Sequence, residues 1–120
     1  MQAEASGWPL HWLQAHGQRL ALCPSLGGSV AAWQWQRADR HLDLWRSPLN
    51  AADSSCATTL PAHTRADDLA CFPLLPWSNR IGQGGFAHGG RFHRLPSLVP
   101  GEPCAIHGDG WRQPWTLERH

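Results

Sequence analysis

Lysine is absent from the 120 residues, and ten scattered arginines face nine acids, for a net charge of +1. A nucleic-acid-binding domain carries a basic stripe or patch, and none forms here, so nucleic acid is excluded as the expected partner. Valine and isoleucine number two each and threonine four, so intrinsic strand propensity is weak. No apolar run approaches the roughly eighteen residues of a membrane span, and no membrane partner is expected. Met1-Gln2-Ala3-Glu4-Ala5 lacks the basic region and apolar stretch of a secretory leader. A cytoplasmic location is the expectation. Cysteines stand far apart, at 23, 56, 71 and 104, without the close pairs of zinc sites or Cys-x-x-Cys redox motifs, so reduced structural thiols are expected. Gly82-x-Gly84-Gly85 is followed by neither lysine nor a helix pattern, which excludes a phosphate loop. A Gly-x-Ser-x-Gly nucleophile elbow is also absent.

Leu, Ile, Val and Phe together make up only 22 of the 120 residues. That scarcity is typical of disordered chains, but disorder also requires a high net charge, which is missing. Eight tryptophans supply the apolar area instead, and the length fits one folded domain. Twelve glycines and ten prolines punctuate the chain too densely for long helices.

Period-two patterning marks the strands. Trp33 and Trp35 alternate with Gln34 and Gln36, and Leu42 and Leu44 alternate with His41 and Asp43. Separated by Arg37–Arg40, these runs predict a hairpin with one buried face. Leu10–Gln14 and Gln18–Leu22 flank His16-Gly17, and Gly85–Ala87 and Arg91–His93 flank His88-Gly89-Gly90, predicting two further hairpins. A last strand is expected over Trp115–Arg119. Asn50–Asp68 shows neither period and reads as loop with a helical turn. The fold class expected from this alternation is all-β.

Two segments concentrate chemistry. In Phe72–Gly82 the prolines Pro73 and Pro76 and the bulk of Trp77 stiffen the support for Asn79 and Arg80. An amide and a planar fork of donors suit a hydroxyl-rich ligand. The same residues are equally consistent with an Asn closing a turn and an Arg in a surface ion pair. In Pro100–Trp115, His107 stands where a short apolar run empties into a glycine loop, a usual place for functional side chains. Asp109 is a candidate to keep it charged, and Trp111 and Trp115 offer flat faces for a sugar ring. A half-buried histidine with a backbone partner is the alternative. His88 and His93 lack an evident third ligand, so no metal is expected.

Phe72–Ile81, then Gly85-Phe86 and Gly90–Pro96, then Gly101-Glu102-Pro103 to His107-Gly108-x-Gly110-Trp111, closely resemble the aldose 1-epimerase (galactose mutarotase) family. The stretch Leu20–Ala32 is similar to that family's first strands. The resemblance implies a large antiparallel β-sandwich, here incomplete, and a cofactor-free reaction on a small sugar. An acid protonates the ring oxygen while a carboxylate takes the anomeric hydroxyl proton; the ring opens and closes to the other anomer. Asn79 and Arg80 match the family's sugar-contacting pair, and His107 matches the first of two site histidines, a substrate contact that assists catalysis at most. The second histidine and the glutamate base belong to later motifs that are not present, and Glu4, Glu102 and Glu118 all lie outside the base motif. Residues 1–120 are therefore expected to be the N-terminal portion of a single mutarotase-like domain, with the main acid and base beyond it. Two other readings stay open: an enzyme of the same kind acting on a hexose 6-phosphate, with Arg91, Arg94 or Arg112 as a second basic group, and a non-catalytic carbohydrate-binding module. The preferred sugar and the oligomeric state are not legible.

Overall fold

The computed structural model describes residues 7–49 and 57–119. Glu4, Cys56 and the part of the expected loop over 50–56 lie outside them. Strands form where alternation met a turn able to reverse the chain. β1 is Trp8–Pro9, β2 His11–Ala15, β3 Gln18–Cys23, β4 Ser29–Arg37, β5 Arg40–Asp43, β6 Thr59–Leu60, β7 Arg80–Ile81, β8 Gly85–His88, β9 Arg91–Arg94 and β10 Ala105–Ile106. All strand pairings are antiparallel. Helical structure is confined, among the described residues, to 3₁₀ turns at Ala66–Asp68 and Gly110–Arg112. No described helix is long and apolar enough to cross a membrane.

The chain divides into two compact units, one of Met1–Pro73 with Arg112–His120 and the other of Leu74–Trp111. In the first, β2, β3, β4 and β5 form a four-stranded meander, and β1 pairs with β6. His16 and Gly17 close the β2–β3 hairpin with φ of 49° and 74°, the twist a two-residue turn needs. Leu60 and Leu69 are the largest apolar side chains fully buried, beside Ala21, Cys23, Ala31 and Ala32. Burial pushes the Cys23 thiol up, away from the reactive thiolate. Cys71 and Cys104 are also free.

Three expectations need correction. The hairpin of β4 and β5 forms, but its buried face is not the tryptophan face. Ala21 pairs with Ala32 while Leu22 pairs with Val30, so Ala31 is an extra residue, and a one-residue bulge exchanges the two faces of a strand. Beyond it Gln34 points inward, 1% exposed, its amide donating to Asp43 Oδ1 at 3.0 Å. Trp33 and Trp35 turn to the other face, where Trp33 meets Trp45 edge-on at 4.9 Å. Second, the tryptophans do not make the core: of the eight only Trp111 is buried, and small residues pack the interior instead. Third, Trp115–Arg119 forms no strand. It follows Pro114, which has no N–H to give a ladder. Trp115 is held instead by a bond from its own N–H to Pro24 O at 2.9 Å and by its ring against Gly28.

In the second unit β7 pairs with β10, Arg80 opposite Ile106, and β8 with β9. Gly89 and Gly90, φ 59° and 73°, close the expected hairpin. The loop after β10 wraps one carbonyl: Leu75 O accepts from Asp109 N and Gly110 N, both at 2.9 Å. Trp111 caps this loop, its indole donating to Gly108 O at 3.2 Å.

Candidate functional site

Asn79 precedes β7 and His107 follows β10, so the antiparallel pairing of these short strands sets them side by side. Both adopt left-handed backbone, φ 57° and 62°. Asparagine and histidine are among the side chains that enter that region most readily. This conformation turns the peptide groups toward each other. His107 N donates to Asn79 O at 2.8 Å, and Asn79 N donates to His107 Nδ1 at 3.1 Å. Because Nδ1 accepts a hydrogen bond, the neutral ring carries its proton on Nε2, and His107 presents a donor at that atom. His107 is half-buried, and Asn79 and Arg80 are exposed.

Arg80 forks onto Glu102. Nε donates to Oε1 at 2.7 Å and Nη2 to Oε2 at 2.6 Å, the two-point geometry that guanidinium and carboxylate favour. Nη1 reaches Asn79 Oδ1 at 3.4 Å. The Arg80 side chain is 50% exposed and that of Glu102 14%. The hydrogen bonds from Arg80 hold the Glu102 carboxyl below the ordinary glutamate value, with smaller contributions from the Arg80 charge and a backbone hydrogen bond from Cys104. In return the Glu102 hydrogen bonds raise the Arg80 guanidinium. A lowered folded value means that the pairing is complete above the ordinary glutamate range and is lost as pH falls through the lowered value. The carboxyl titration of Glu102, followed by ¹³C NMR, should therefore have a midpoint below that of an ordinary glutamate, and Arg80→Gln should bring it back up. An unchanged midpoint in the variant would mean that the pair does not form in solution.

The structure brings Asn79, Arg80 and His107 together and also realises one alternative that the sequence left open, an ion-paired Arg80, while Asn79 sits in a left-handed bend. Both features build the cluster. Glu102 is the member that sequence reasoning missed, having been considered only as a base and set aside. Its pairing depends on strand register, which local sequence does not encode. One suggested contact falls away: Trp111 is buried under its own loop and offers no open face. The Asp109 backbone N–H donates to Leu75 O. No group of three or more His, Cys, Asp or Glu suited to a metal occurs among the described residues. Chemically the cluster supplies converging donors. It supplies no free base, since Glu102 is engaged on both oxygens and held charged.

A fold of antiparallel strands with this Asn-Arg-His platform can be set against known proteins. A family model for aldose 1-epimerase matches residues 10–120, and the chain belongs to the aldose 1-epimerase family. It is 38% identical over 55 residues to the uncharacterized protein YphB of Escherichia coli (strain K12), a match covering 46% of this chain and 19% of YphB. A crystal structure described as a proposed aldose 1-epimerase from Escherichia coli K12 superposes with a TM-score of 0.70 at 24% identity, over 95% of this chain and 33% of that one. That likeness gives the shared fold, the antiparallel β-sandwich class expected above. The chain spans a third or less of the length of both relatives.

Proposed function

We propose that this chain carries the sugar-contacting part of an enzyme that interconverts the α and β anomers of an aldohexose. The observation that carries the reading is the reciprocal Asn79–His107 pairing beside the Arg80 fork, in a chain of this family. Ring opening needs a proton delivered to the ring oxygen while another leaves the anomeric hydroxyl. Each such transfer contributes about 10²–10⁴ in rate when the group is matched to the working pH. Asn79 and Arg80 bind sugar hydroxyls, and His107 donates from Nε2 to a sugar oxygen, polarising it without being the principal acid. The principal acid and base come from residues outside this sequence, the chain forming the N-terminal part of one mutarotase-like domain. No cofactor enters the reaction.

Polarimetry on freshly dissolved α-D-glucose and α-D-galactose tests the division of labour. The 120-residue chain alone should follow the buffer rate, because Arg80 stays protonated at any working pH and Glu102 is held by it, so neither can accept the anomeric proton. A family-length protein that includes this segment should accelerate the change, and His107→Ala there should slow it by about tenfold to a hundredfold. Acceleration by the 120-residue chain, abolished by His107→Ala, would place both acid and base within these residues.

A further inference from the structure

We infer that Glu102 sets the charge class of the ligand: by pairing with Arg80 it makes the site selective for a neutral polyhydroxylated sugar against the phosphorylated form of the same sugar. This rests on the reading of Asn79, Arg80 and His107 as sugar contacts and decides between the two substrate classes which that reading leaves open.

A guanidinium has five N–H groups. Two are spent on Glu102 and one is directed at Asn79 Oδ1, which leaves one on Nη1 and one on Nη2. These two lie on the half of the fork turned away from Glu102, and Arg80 is half exposed, so a ligand reaches them without disturbing the pair. A hydroxyl oxygen needs only the N–H. A phosphoryl group, with a charge of about −1.5 to −2 at neutral pH, draws its affinity from net positive charge, and the two-point carboxylate has already cancelled it. An approaching phosphate meets attraction from Arg80 that is offset by repulsion from Glu102 behind it.

The two remaining N–H groups still offer a phosphate an edge, but one whose charge Glu102 has neutralised; to recover the full charge of Arg80 the pair must open. That takes both charge-assisted bonds from a carboxylate whose side chain is 14% exposed and leaves it only the backbone bond from Cys104. Glu102 also fixes the rotation of the fork, so less side-chain freedom is lost when a sugar binds. It is a positioning residue acting through Arg80. The other arginines of this unit, Arg91 and Arg94, stand on β9 and are exposed, so they are controlled for in the experiment.

The test is an NMR titration of the 120-residue chain with D-galactose and with D-galactose 6-phosphate, following the Asn79 amide and the His107 ring. Wild type should bind galactose at least about fivefold more tightly than its phosphate, the scale of one partly screened charge contact. Glu102→Gln keeps the shape and removes the charge. It should reverse the order, the phosphate gaining about tenfold, and the gain should vanish in about 0.5 M NaCl and in Glu102→Gln/Arg80→Gln. Glu102→Asp, which keeps the carboxylate, should keep the wild-type order. A merely structural role for Glu102 would produce loss with both sugars and no gain. Wild type preferring the phosphate, or an unchanged ratio in Glu102→Gln, overturns the inference and leaves the sugar site standing. Neither sugar shifting Asn79 or His107 overturns the site and the inference with it. If Glu102→Gln loses the wild-type amide spectrum, the wild-type ratio decides.

Discussion

Gly108→Ala is expected to unfold the loop that holds His107, at a loss of about 3 kcal/mol or more. Gly108 has φ 62°, a region that costs alanine about 1 kcal/mol or more by itself. The larger effect is steric. A Cβ here would stand 2.0 Å from Leu75 O, 2.3 Å from Leu75 C and 2.6 Å from Pro76 N. All three are backbone atoms, so no side-chain rotation relieves the overlap. Leu75 O must move, yet it accepts the bonds from Asp109 and Gly110 that shape the loop. His107, one residue before, then loses its register with Asn79. Gly101 is the control: its φ is 79°, but nothing lies within 4 Å of an added Cβ. Gly101→Ala should lose only about 1 kcal/mol. Urea unfolding read at the Asn79 and His107 resonances separates the two variants. Equal stabilities would mean that the Leu75–Gly108 contact is not kept in solution.

Arg80→Lys should lower affinity for a neutral aldose by about tenfold to a hundredfold while leaving the fold intact. Lysine preserves the charge, so the effect isolates the geometry. The Arg80 fork bonds both Glu102 oxygens and still holds an N–H on each terminal nitrogen. An ammonium has three donors about one point and cannot grip a carboxylate side-on while offering a planar edge to adjacent hydroxyls. Hydrogen bonds from a charged donor are the strong ones, and losing one or two gives this range. The side chain is exposed, so no core is disturbed and circular dichroism should be unchanged. Sugar affinity equal to wild type in Arg80→Lys would remove Arg80 from the contacts.

Local pattern carried the fold where turn chemistry and alternation agreed. His16-Gly17 and Gly89-Gly90 sit at the reversals they were expected to make. It misled at β4, because the bulge at Ala31 is a property of pairing between strands: Gln34 and Trp33 exchange faces through a register shift away from the hairpin turn, set by the β3 partner. The tryptophans misled for a related reason. Large apolar area in a sequence does not say which face of a sheet carries it, and the interior was built from Ala21, Ala31, Ala32 and Cys23. Asn79, Arg80 and His107 stood out as candidates through their proline, tryptophan and glycine neighbours, but what holds them is non-local: Asn79 bonds His107 across 28 residues. Glu102 did not stand out, since its contact to Arg80 spans 22 residues and exists only once β7 and β10 have paired.

The most direct measurement of the central claim is a crystal structure of this chain soaked with D-galactose. The expected result is a sugar ring whose hydroxyls lie within hydrogen-bond distance of the Arg80 terminal nitrogens and of His107 Nε2, with the Arg80–Glu102 pair intact. The chain offers a clear competitor, the open groove of about 430 Å³ in the first unit lined by Leu13, Leu20, Trp33 and Trp45, where an apolar sugar face could stack on indole. A sugar seated there, with Asn79, Arg80 and His107 uncontacted, would contradict the assignment.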